Sequence, residues 1–325
     1  MPINANEPFF TIVTAIKDGL LFFRETAPTI LNQTFNDWEW IIVDDGSTEP
    51  IQAFVESWTE SRVRYIRNET SIGQTRSLNL GIRESKAQWI VRMDADDLAE
   101  RDRLSELYRY LTQVSPHYRG LVFSDYHVID QDGMPIATVR YNDQKSDNLL
   151  GYLPRNNPIC HPTVAFYKTG PSGGLYSFDE TLFNAQDYAL WKKMIQDYGN
   201  SILHVPLPLV HYRLVRESLS SARIKEQLLE LESIRASGSG PGAQRETISG
   251  VSLSSSKQES MQAYRSSYYK FIGNDLQSAK LGWIDLRDLV RTVLYPRFFW
   301  RAFVFTMMRP FRARLKKILF NGVYK

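Results

Sequence analysis

Three aspartates follow a short apolar run in the segment WIVRMDADDL, Trp89–Leu98. The run predicts a buried strand that ends at a solvent-filled cleft, with Asp94, Asp96 and Asp97 at its end. Carboxylates this close repel one another, so a positive group is expected among them. Oxygen ligands suit hard divalent cations such as Mg²⁺ or Mn²⁺. The alternative is a polar loop that only turns the chain, and this stretch alone leaves both interpretations open.

A second acidic pair, Asp44 and Asp45, ends another apolar run, Trp38–Val43. Strand and helix patterns alternate over the first hundred residues, which predicts βαβ units and a mostly parallel sheet. In such sheets ligands bind outside the carboxyl ends of the strands. We therefore expect the acidic pair and the segment Asp94–Asp97 to lie at the same edge of the sheet.

Hydrophobic periodicity predicts the elements that must position these acids. The predicted strands are Phe9–Ala15, Trp38–Val43, Val63–Ile66, Trp89–Met93, Leu121–Ile129 and Met134–Arg140. The predicted helices are Leu20–Gln33, Ile51–Ser61, Thr75–Ser85, Arg101–Gln113 and Asn184–Tyr198. Pro28 predicts a late start or a kink in the first helix. The prolines of Ile202–Val210 favour an edge strand over a central one.

The composition limits the function classes. The chain has 325 residues, 43% of them hydrophobic, enough for one large domain or two smaller ones. A net charge of only +3 argues against a general nucleic-acid binder. The single cysteine, Cys160, excludes an internal disulfide, fits a reducing compartment, and suits a small buried apolar role better than a nucleophile. Met1–Pro8 has no signal-peptide pattern, so we expect a cytoplasmic protein.

The C-terminal part differs in composition. Residues 233–260 are rich in Ser and Gly, which predicts a flexible linker or a disordered loop between a catalytic domain at 1–225 and a helical extension at 261–325. Trp283–Lys325 carries ten Lys or Arg among many aromatic residues. Such a segment could lie on an anionic membrane, at the inner face of the plasma membrane. The alternative is that it packs on the catalytic domain or on a second subunit.

Five motifs, taken together and in order, resemble family 2 glycosyltransferases. They are TIVT at Thr11–Thr14, LNQT at Leu31–Thr34, IIVDDGST at Ile41–Thr48, GQTRSLNLGI at Gly73–Ile82 and MDADD at Met93–Asp97. Several linked motifs are far more specific than any one of them. The resemblance covers about residues 9–220. It implies the α/β GT-A fold, a Rossmann-like, mostly parallel sheet flanked by helices, here with a helical C-terminal extension.

The resemblance also assigns roles around the donor, a nucleotide-diphosphate sugar. The implied donor-binding residues are Thr14, Ala15, Asp44, Asp45, Arg76 and Asp94. Asp96 matches the ligand of a divalent cation, Mn²⁺ or Mg²⁺, which would neutralise the diphosphate leaving group. Asp97 would orient the loop. For Arg76, a solvated helix residue or a structural ion pair is the alternative.

Asp187 is the candidate catalytic base. The segment Asn184–Tyr188 resembles the acidic Glu-Asp motif of the family, with Gln186 in place of the Glu. Asp187 would remove the proton from the acceptor hydroxyl as that oxygen attacks the anomeric carbon. On composition alone, a carboxylate that favours a helix N-terminus is the simpler interpretation.

Two further segments resemble the family only in part. His161 lies in a Cys-His-Pro segment where a histidine can approach the acceptor or the phosphates, and a structural role is equally consistent. Tyr212 and Arg213 match a family pair, but Val215 stands where a histidine often follows, which argues against a phosphate or metal contact there. The Gln-x-x-Arg-Trp motif of processive members is absent, so we expect single additions.

Together with these residues, the resemblance implies an inverting, metal-dependent, non-processive glycosyltransferase of bacterial cell-surface polysaccharide biosynthesis. The expected partners are a donor, by default a UDP-sugar, and a glycan or lipid-linked acceptor, with no nucleic acid. A nucleotidyltransferase would need a glycine-rich phosphate loop where the chain reads AIKDGLLFF. A degenerate sugar-nucleotide-binding protein is consistent with Gln186 and Val215, but Asp96 and Asp187 argue for an enzyme.

Overall fold

The computed structural model describes residues 7–115, 117–141, 157, 159–182, 184–198 and 202–215. The predicted domain boundary at 225, the linker at 233–260 and the extension at 261–325 lie outside these residues. In the described part of the chain, no helix has both the length and the apolar character needed to cross a bilayer.

Within the described residues, nine strands form one sheet and five helices flank it. The strands are β1 (Phe10–Ile16), β2 (Trp38–Asp44), β3 (Val63–Arg67), β4 (Trp89–Arg92), β5 (Leu98–Ala99), β6 (Leu121–Ile129), β7 (Pro135–Val139), β8 (Val164–Tyr167) and β9 (Ile202–Arg213). The helices are α1 (Leu20–Leu31), α2 (Ile51–Glu56), α3 (Gln74–Glu84), α4 (Arg103–Val114) and α5 (Gln186–Asp197). A short 3₁₀ turn occupies His161–Thr163.

The sheet order is β3-β2-β1-β4-β8-β6-β9-β5, and β7 pairs with the C-terminal part of β6, beyond the residues that pair with β8. The first four strands in this order are parallel, as the alternating pattern predicted. Beyond β4 the sheet is mixed, because β8 runs antiparallel to both β4 and β6, while β9 runs parallel to β6. The α/β prediction is confirmed, and the parallel half carries the acidic strand ends.

Apolar side chains cover both faces of the central strands. Every residue of β1 and β2 is buried, which is typical of strands that have helices on both sides. On one face Trp40 packs with Phe23 and Ala27 of α1. On the other face, Val13 belongs to an apolar cluster that includes residues of α3 and α5.

Three element predictions were wrong in detail. Helix α1 begins at Leu20 rather than late, because Pro28 lies in its last turn, where only one backbone hydrogen bond is lost. Helix α2 ends at Glu56 rather than Ser61, and the Ser57 hydroxyl donates to the Phe54 carbonyl at 2.6 Å.

The third correction concerns the proline-containing strand. Strand β9 is not at the edge of the sheet, since β5 pairs with its far side. However, β5 contacts only Val210 and His211. Pro206 and Pro208 fall where the register with β6 shifts, between Val205 and Pro208. The prolines therefore avoid the positions that need a backbone donor, as expected for proline in a sheet.

Helix α3 lies close to the sheet at Gly81. A Cβ atom at this position would lie 2.6 Å from Val13 Cγ1 and 3.4 Å from Val43 Cγ2. Both neighbours belong to fully buried strands, so neither can move freely.

We expect Gly81→Ala to lower the free energy of unfolding by about 1–2 kcal/mol, because overpacking outweighs the gain in helix propensity. Urea unfolding measures the change. Gly174→Ala is the matched control, since its Cβ would meet nothing within 4 Å. Equal stability of the two variants would contradict close packing of α3 on β1.

Candidate active site

The acidic strand ends lie at one edge of the sheet. Strand β1 separates β2 from β4, and the three strands are parallel. Asp44 ends β2 and Asp45 follows it, while Asp94 lies two residues beyond the end of β4. The topology therefore brings together the two acidic segments that the sequence predicted would meet.

A buried arginine holds the first aspartate of the acidic segment. The guanidinium of Arg92, whose side chain is 1% exposed, forms an ion pair with Asp94 and donates to the Val13 carbonyl at 3.1 Å. Its Nε donates to His161 Nε2 at 3.0 Å. Each of these contacts fixes the plane of the guanidinium, so the Asp94 carboxylate has a defined direction.

His161 is a neutral hydrogen-bond acceptor in this arrangement. Burial, followed by the charge of Arg92, lowers the pKa of His161 to about 3. The ring packs edge-on against Phe178, with 5.5 Å between ring centroids, and lies 6.2 Å from Trp191. Through these contacts His161 is held in place and positions the Arg92 guanidinium.

A second buried arginine and a buried aspartate lie behind the segment. Arg103 donates to the carbonyls of Arg92 at 2.9 Å and Pro162 at 2.6 Å. Asp97 accepts from the backbone N–H of Arg213 at 2.7 Å, and burial raises its pKa well above the usual range. The Arg213 side chain in turn donates to the Asp96 carbonyl at 2.7 Å. Asp97 thus ties the acidic loop to β9, the orienting role that the resemblance implied.

Asp96 has the surroundings of a cation ligand. Burial, and then the neighbouring charge of Asp94, raises the pKa of Asp96 to about 6. Among the described residues, no other residue donates a hydrogen bond to its carboxylate, which is partly buried. A carboxylate that is crowded by another and has no donor beyond its own backbone N–H fits a divalent cation, which would relieve the repulsion.

Asp187 lies in the first turn of α5, as the sequence predicted. Asn157 Nδ2 donates to its Oδ2 at 2.9 Å, and the backbone N–H of Tyr188 donates to its Oδ1 at 2.7 Å. Burial raises the pKa of Asp187 to about 6, despite these hydrogen bonds. A carboxylate with this pKa is ionised at neutral pH and remains a competent proton acceptor.

The segment that contains Cys160 connects the two predicted halves of the site. Asn157 donates to Asp187 at 2.9 Å, and His161 accepts from Arg92, which pairs with Asp94. Burial raises the pKa of the Cys160 thiol, and the charges of Asp97, Asp94 and Asp187 raise it further. A thiol with a raised pKa is a poor nucleophile, which agrees with the packing role expected for Cys160.

The carboxylates of Asp44 and Asp45 are bonded within the protein. Asp44 accepts from the backbone N–H of Ser47 at 2.7 Å and forms an ion pair with Arg67 at 2.6 Å. Asp45 accepts from five groups in the segment after β3, including the N–H of Ile72 at 2.7 Å. These bonds order the loop that would face a nucleotide.

The remaining predicted donor residues lie in different surroundings. Thr14 is buried, and its hydroxyl accepts from Trp40 Nε1 at 3.0 Å, so its side chain is part of the core. Ala15 is 8% exposed. Arg76 is exposed on α3 and pairs with Glu180 at 3.3 Å, which is the ion-pair alternative stated above. The structure does not bring the Arg76 side chain into contact with the acidic segment.

Sequence reasoning missed Arg92, Arg103 and Asn157. A signal for Arg92 was present, because a charged residue inside an apolar run predicted to be buried must have a partner. Arg103 gave no comparable signal at the start of an amphipathic helix. Asn157 is close to Asp187 only through the tertiary fold, so no local pattern identifies it.

We expect Arg92→Met to lower the free energy of unfolding by about 3–5 kcal/mol, because Asp94 loses the partner of a buried ion pair. Urea unfolding at neutral pH measures this change. Arg76→Met, which removes an exposed ion pair, is the control and should change the value by less than about 1 kcal/mol. Similar values for both variants would contradict a central role for Arg92.

A family model described as glycosyl transferase family 2 matches residues 11–172. A relative in Methanocaldococcus jannaschii, the uncharacterized glycosyltransferase MJ1057, is 26% identical over 229 residues, 69% of this chain and 77% of the relative. The O-antigen biosynthesis glycosyltransferase WbnJ of Escherichia coli is 31% identical over 180 residues, 53% of this chain and 66% of WbnJ.

Two solved structures share the fold. Mannosyltransferase PcManGT from Pyrobaculum calidifontis, in complex with GDP-Man and Mn²⁺, superposes with a TM-score of 0.57 at 18% identity, over 92% of this chain and 84% of that protein. S. aureus TarS 1–349 in complex with UDP gives 0.53 at 14% identity, over 81% of this chain and 72% of TarS. The α/β sheet described above is therefore the GT-A fold.

Proposed function

The chain belongs to glycosyl transferase family 2, and on that premise we propose that it transfers a single sugar from a nucleotide-diphosphate sugar to an acceptor hydroxyl with inversion at the anomeric carbon. The observation that carries the proposal is the arrangement of Asp94, Asp96 and Asp187. Asn157 donates to the candidate base Asp187, and four residues later His161 accepts from Arg92, the ion-pair partner of Asp94, so one segment joins the base to the acidic segment.

Asp187 is the proposed catalytic base. Its Oδ1 and Oδ2 are held by the Tyr188 N–H and by Asn157, and neither donor removes the capacity of the carboxylate to accept one more proton. The acceptor oxygen gives its proton to Asp187 as it bonds to the anomeric carbon from the face opposite the diphosphate. The bond between that carbon and the diphosphate breaks in the same displacement, which inverts the configuration.

Asp94 and Asp96 are the proposed residues on the diphosphate side. Asp96 would hold a divalent cation, Mn²⁺ or Mg²⁺, which when bound supplies positive charge to the leaving diphosphate. Asp94 would contact the ribose, and Arg92 fixes the direction of its carboxylate. The presence of Mn²⁺ and GDP-Man in the complex of PcManGT supports this assignment by analogy of fold.

The nucleotide pocket is proposed to lie beyond the ends of β1 and β2. Thr14 and Ala15 supply strand backbone there, and Asp44 and Asp45 order the loop around the base. Arg76 would have to leave Glu180 to reach the nucleotide, which its exposed position allows. UDP is the default nucleotide that the family resemblance implies, and the TarS complex with UDP supports it, whereas the PcManGT complex makes GDP the alternative.

The proposed acceptor is a glycan or a lipid-linked sugar in polysaccharide biosynthesis. The name of the E. coli relative, an O-antigen biosynthesis glycosyltransferase, supports this class. We further propose that the enzyme acts in the cytoplasm at the membrane surface, through the basic and aromatic segment Trp283–Lys325.

We expect Asp187→Asn to lower the rate of sugar transfer by at least about 100-fold while UDP binds with nearly unchanged affinity. The variant should be no less stable than the wild type at pH 8, since folding disfavours the charged form of a carboxyl with a raised pKa. Asp197→Asn, at the other end of α5, is the matched control and should retain transfer.

The pH profile of the wild type provides a second measurement of the same prediction. The base acts only when ionised, so kcat/KM should fall as the pH drops through about 6, the pKa of Asp187. Full transfer by Asp187→Asn would contradict the assignment of the base. Tight UDP binding without transfer in the wild type, to any acceptor tested, would favour a degenerate binding protein.

A further inference from the structure

Two histidines and one glutamate form a cluster that contains no residue of the acidic segment. Glu100 follows β5, His127 belongs to β6 and His211 to β9. One potential ligand atom of each residue lies within 4.8 Å of the others. Among the described residues, no other group of three or more His, Cys, Asp or Glu side chains has its ligand atoms this close together. Asp96 is not part of the group.

We propose that Glu100, His127 and His211 bind one transition-metal ion of the zinc class. Imidazole nitrogens favour Zn²⁺ over Mg²⁺ or Ca²⁺, and two histidines with one glutamate form a known ligand set for zinc. Each ligand comes from a different segment of the sheet. The ion would therefore join β6, β9 and the end of β5, a site distinct from the proposed donor site.

The protein already orients the ligands. Glu100 is fixed through its backbone, since its N–H donates to the Leu209 carbonyl at 3.0 Å and its carbonyl accepts from Gln33 Nε2 at 2.7 Å. The Glu100 side chain contacts β9, where its Oε1 lies 2.7 Å from His211 Nε2. Two of the three ligand atoms thus form a hydrogen-bonded pair, and an ion between them requires only a small separation, to about 3.3 Å for tetrahedral zinc.

The third ligand has an outer partner. His127 Nδ1 lies 2.9 Å from the Thr138 hydroxyl on β7. A hydrogen bond from Nδ1–H to that oxygen would leave Nε2 free to bind a metal, which is the usual outer contact of a ligating histidine. The His127 and His211 rings face each other with 4.9 Å between centroids.

The cluster is open to solvent and lies on the opposite face of β9 from Tyr212. The side chains of Glu100 and His211 are 41% and 29% exposed, so an ion can enter without unfolding. His211 and Tyr212 are adjacent in a strand and point to opposite faces. Burial, and then the charges of Cys160 and Asp97, raise the pKa of Tyr212. The Tyr212 ring is therefore on the side of the acidic segment, and His211 is on the other side.

The other histidines of the chain do not form a competing site. The chain has five histidines and one cysteine. His161 is bonded to Arg92, His204 lies 2.8 Å from Asp125, and His117 is exposed on a turn. An assay of metal binding by imidazoles therefore reports on His127 and His211, provided that the protein carries no histidine tag.

The test is a Co²⁺ titration of the untagged full chain, followed by visible absorption, with Zn²⁺ added as competitor. We expect one saturable Co²⁺ site with nitrogen ligands, seen as a visible absorption band, that Zn²⁺ displaces. Glu100→Gln and His211→Gln should each weaken it at least about tenfold, as should Thr138→Val through the outer contact. Thr138→Ser, which keeps the hydroxyl, and His117→Gln should bind Co²⁺ like the wild type.

Asp96→Asn separates this site from the donor site, and it should leave the Co²⁺ spectrum unchanged. Absence of a saturable band up to millimolar Co²⁺ would overturn the proposal. So would a band that Asp96→Asn removes and His211→Gln does not. If His211→Gln fails to fold, Glu100→Gln and Thr138→Val give the same answer, because their side chains lie at the surface or on β7.

Discussion

The buried charge of Arg92 is the constraint on which the site depends. A guanidinium that is 1% exposed is strongly unfavourable without partners, and here it bonds to Asp94, His161 and backbone carbonyls. The same bonds gather residues from β1, β4 and the segment before β8. The arginine is therefore a structural requirement and also the reason that the Asp94 carboxylate has one direction.

The crowding of carboxylates is the second part of this constraint. Asp96 and Asp97 both have raised pKa values, chiefly because of burial, and Asp187 is similarly raised. Three buried arginines, Arg92, Arg103 and Arg213, offset only part of this negative charge, because their bonds to carboxylates go to Asp94 and Glu25 rather than to Asp96. A protein that leaves such repulsion in place is prepared for a cation or for proton transfer.

The sequence predicted the parallel half of the sheet and the meeting of its acidic ends, because both follow from local patterns and from the handedness of βαβ units. It did not predict that β8 and β9 would complete the sheet in mixed orientation, since those pairings join distant segments. Asp96 and Asp187 could be selected from motifs, whereas Asn157 and the cluster of Glu100, His127 and His211 arise from tertiary contacts. Arg76 shows the converse, a motif position whose side chain pairs with Glu180 instead.

The most direct measurement is the thermal stabilisation of the protein by UDP with Mn²⁺, compared with Mn²⁺ alone, in the wild type and in Asp96→Asn. If Asp96 holds the cation that the diphosphate requires, UDP at one hundred times its dissociation constant should stabilise the wild type by about 2.7 kcal/mol. The variant should lose most of this effect. Equal stabilisation of both proteins, or none by UDP or GDP in the folded wild type, would contradict the account.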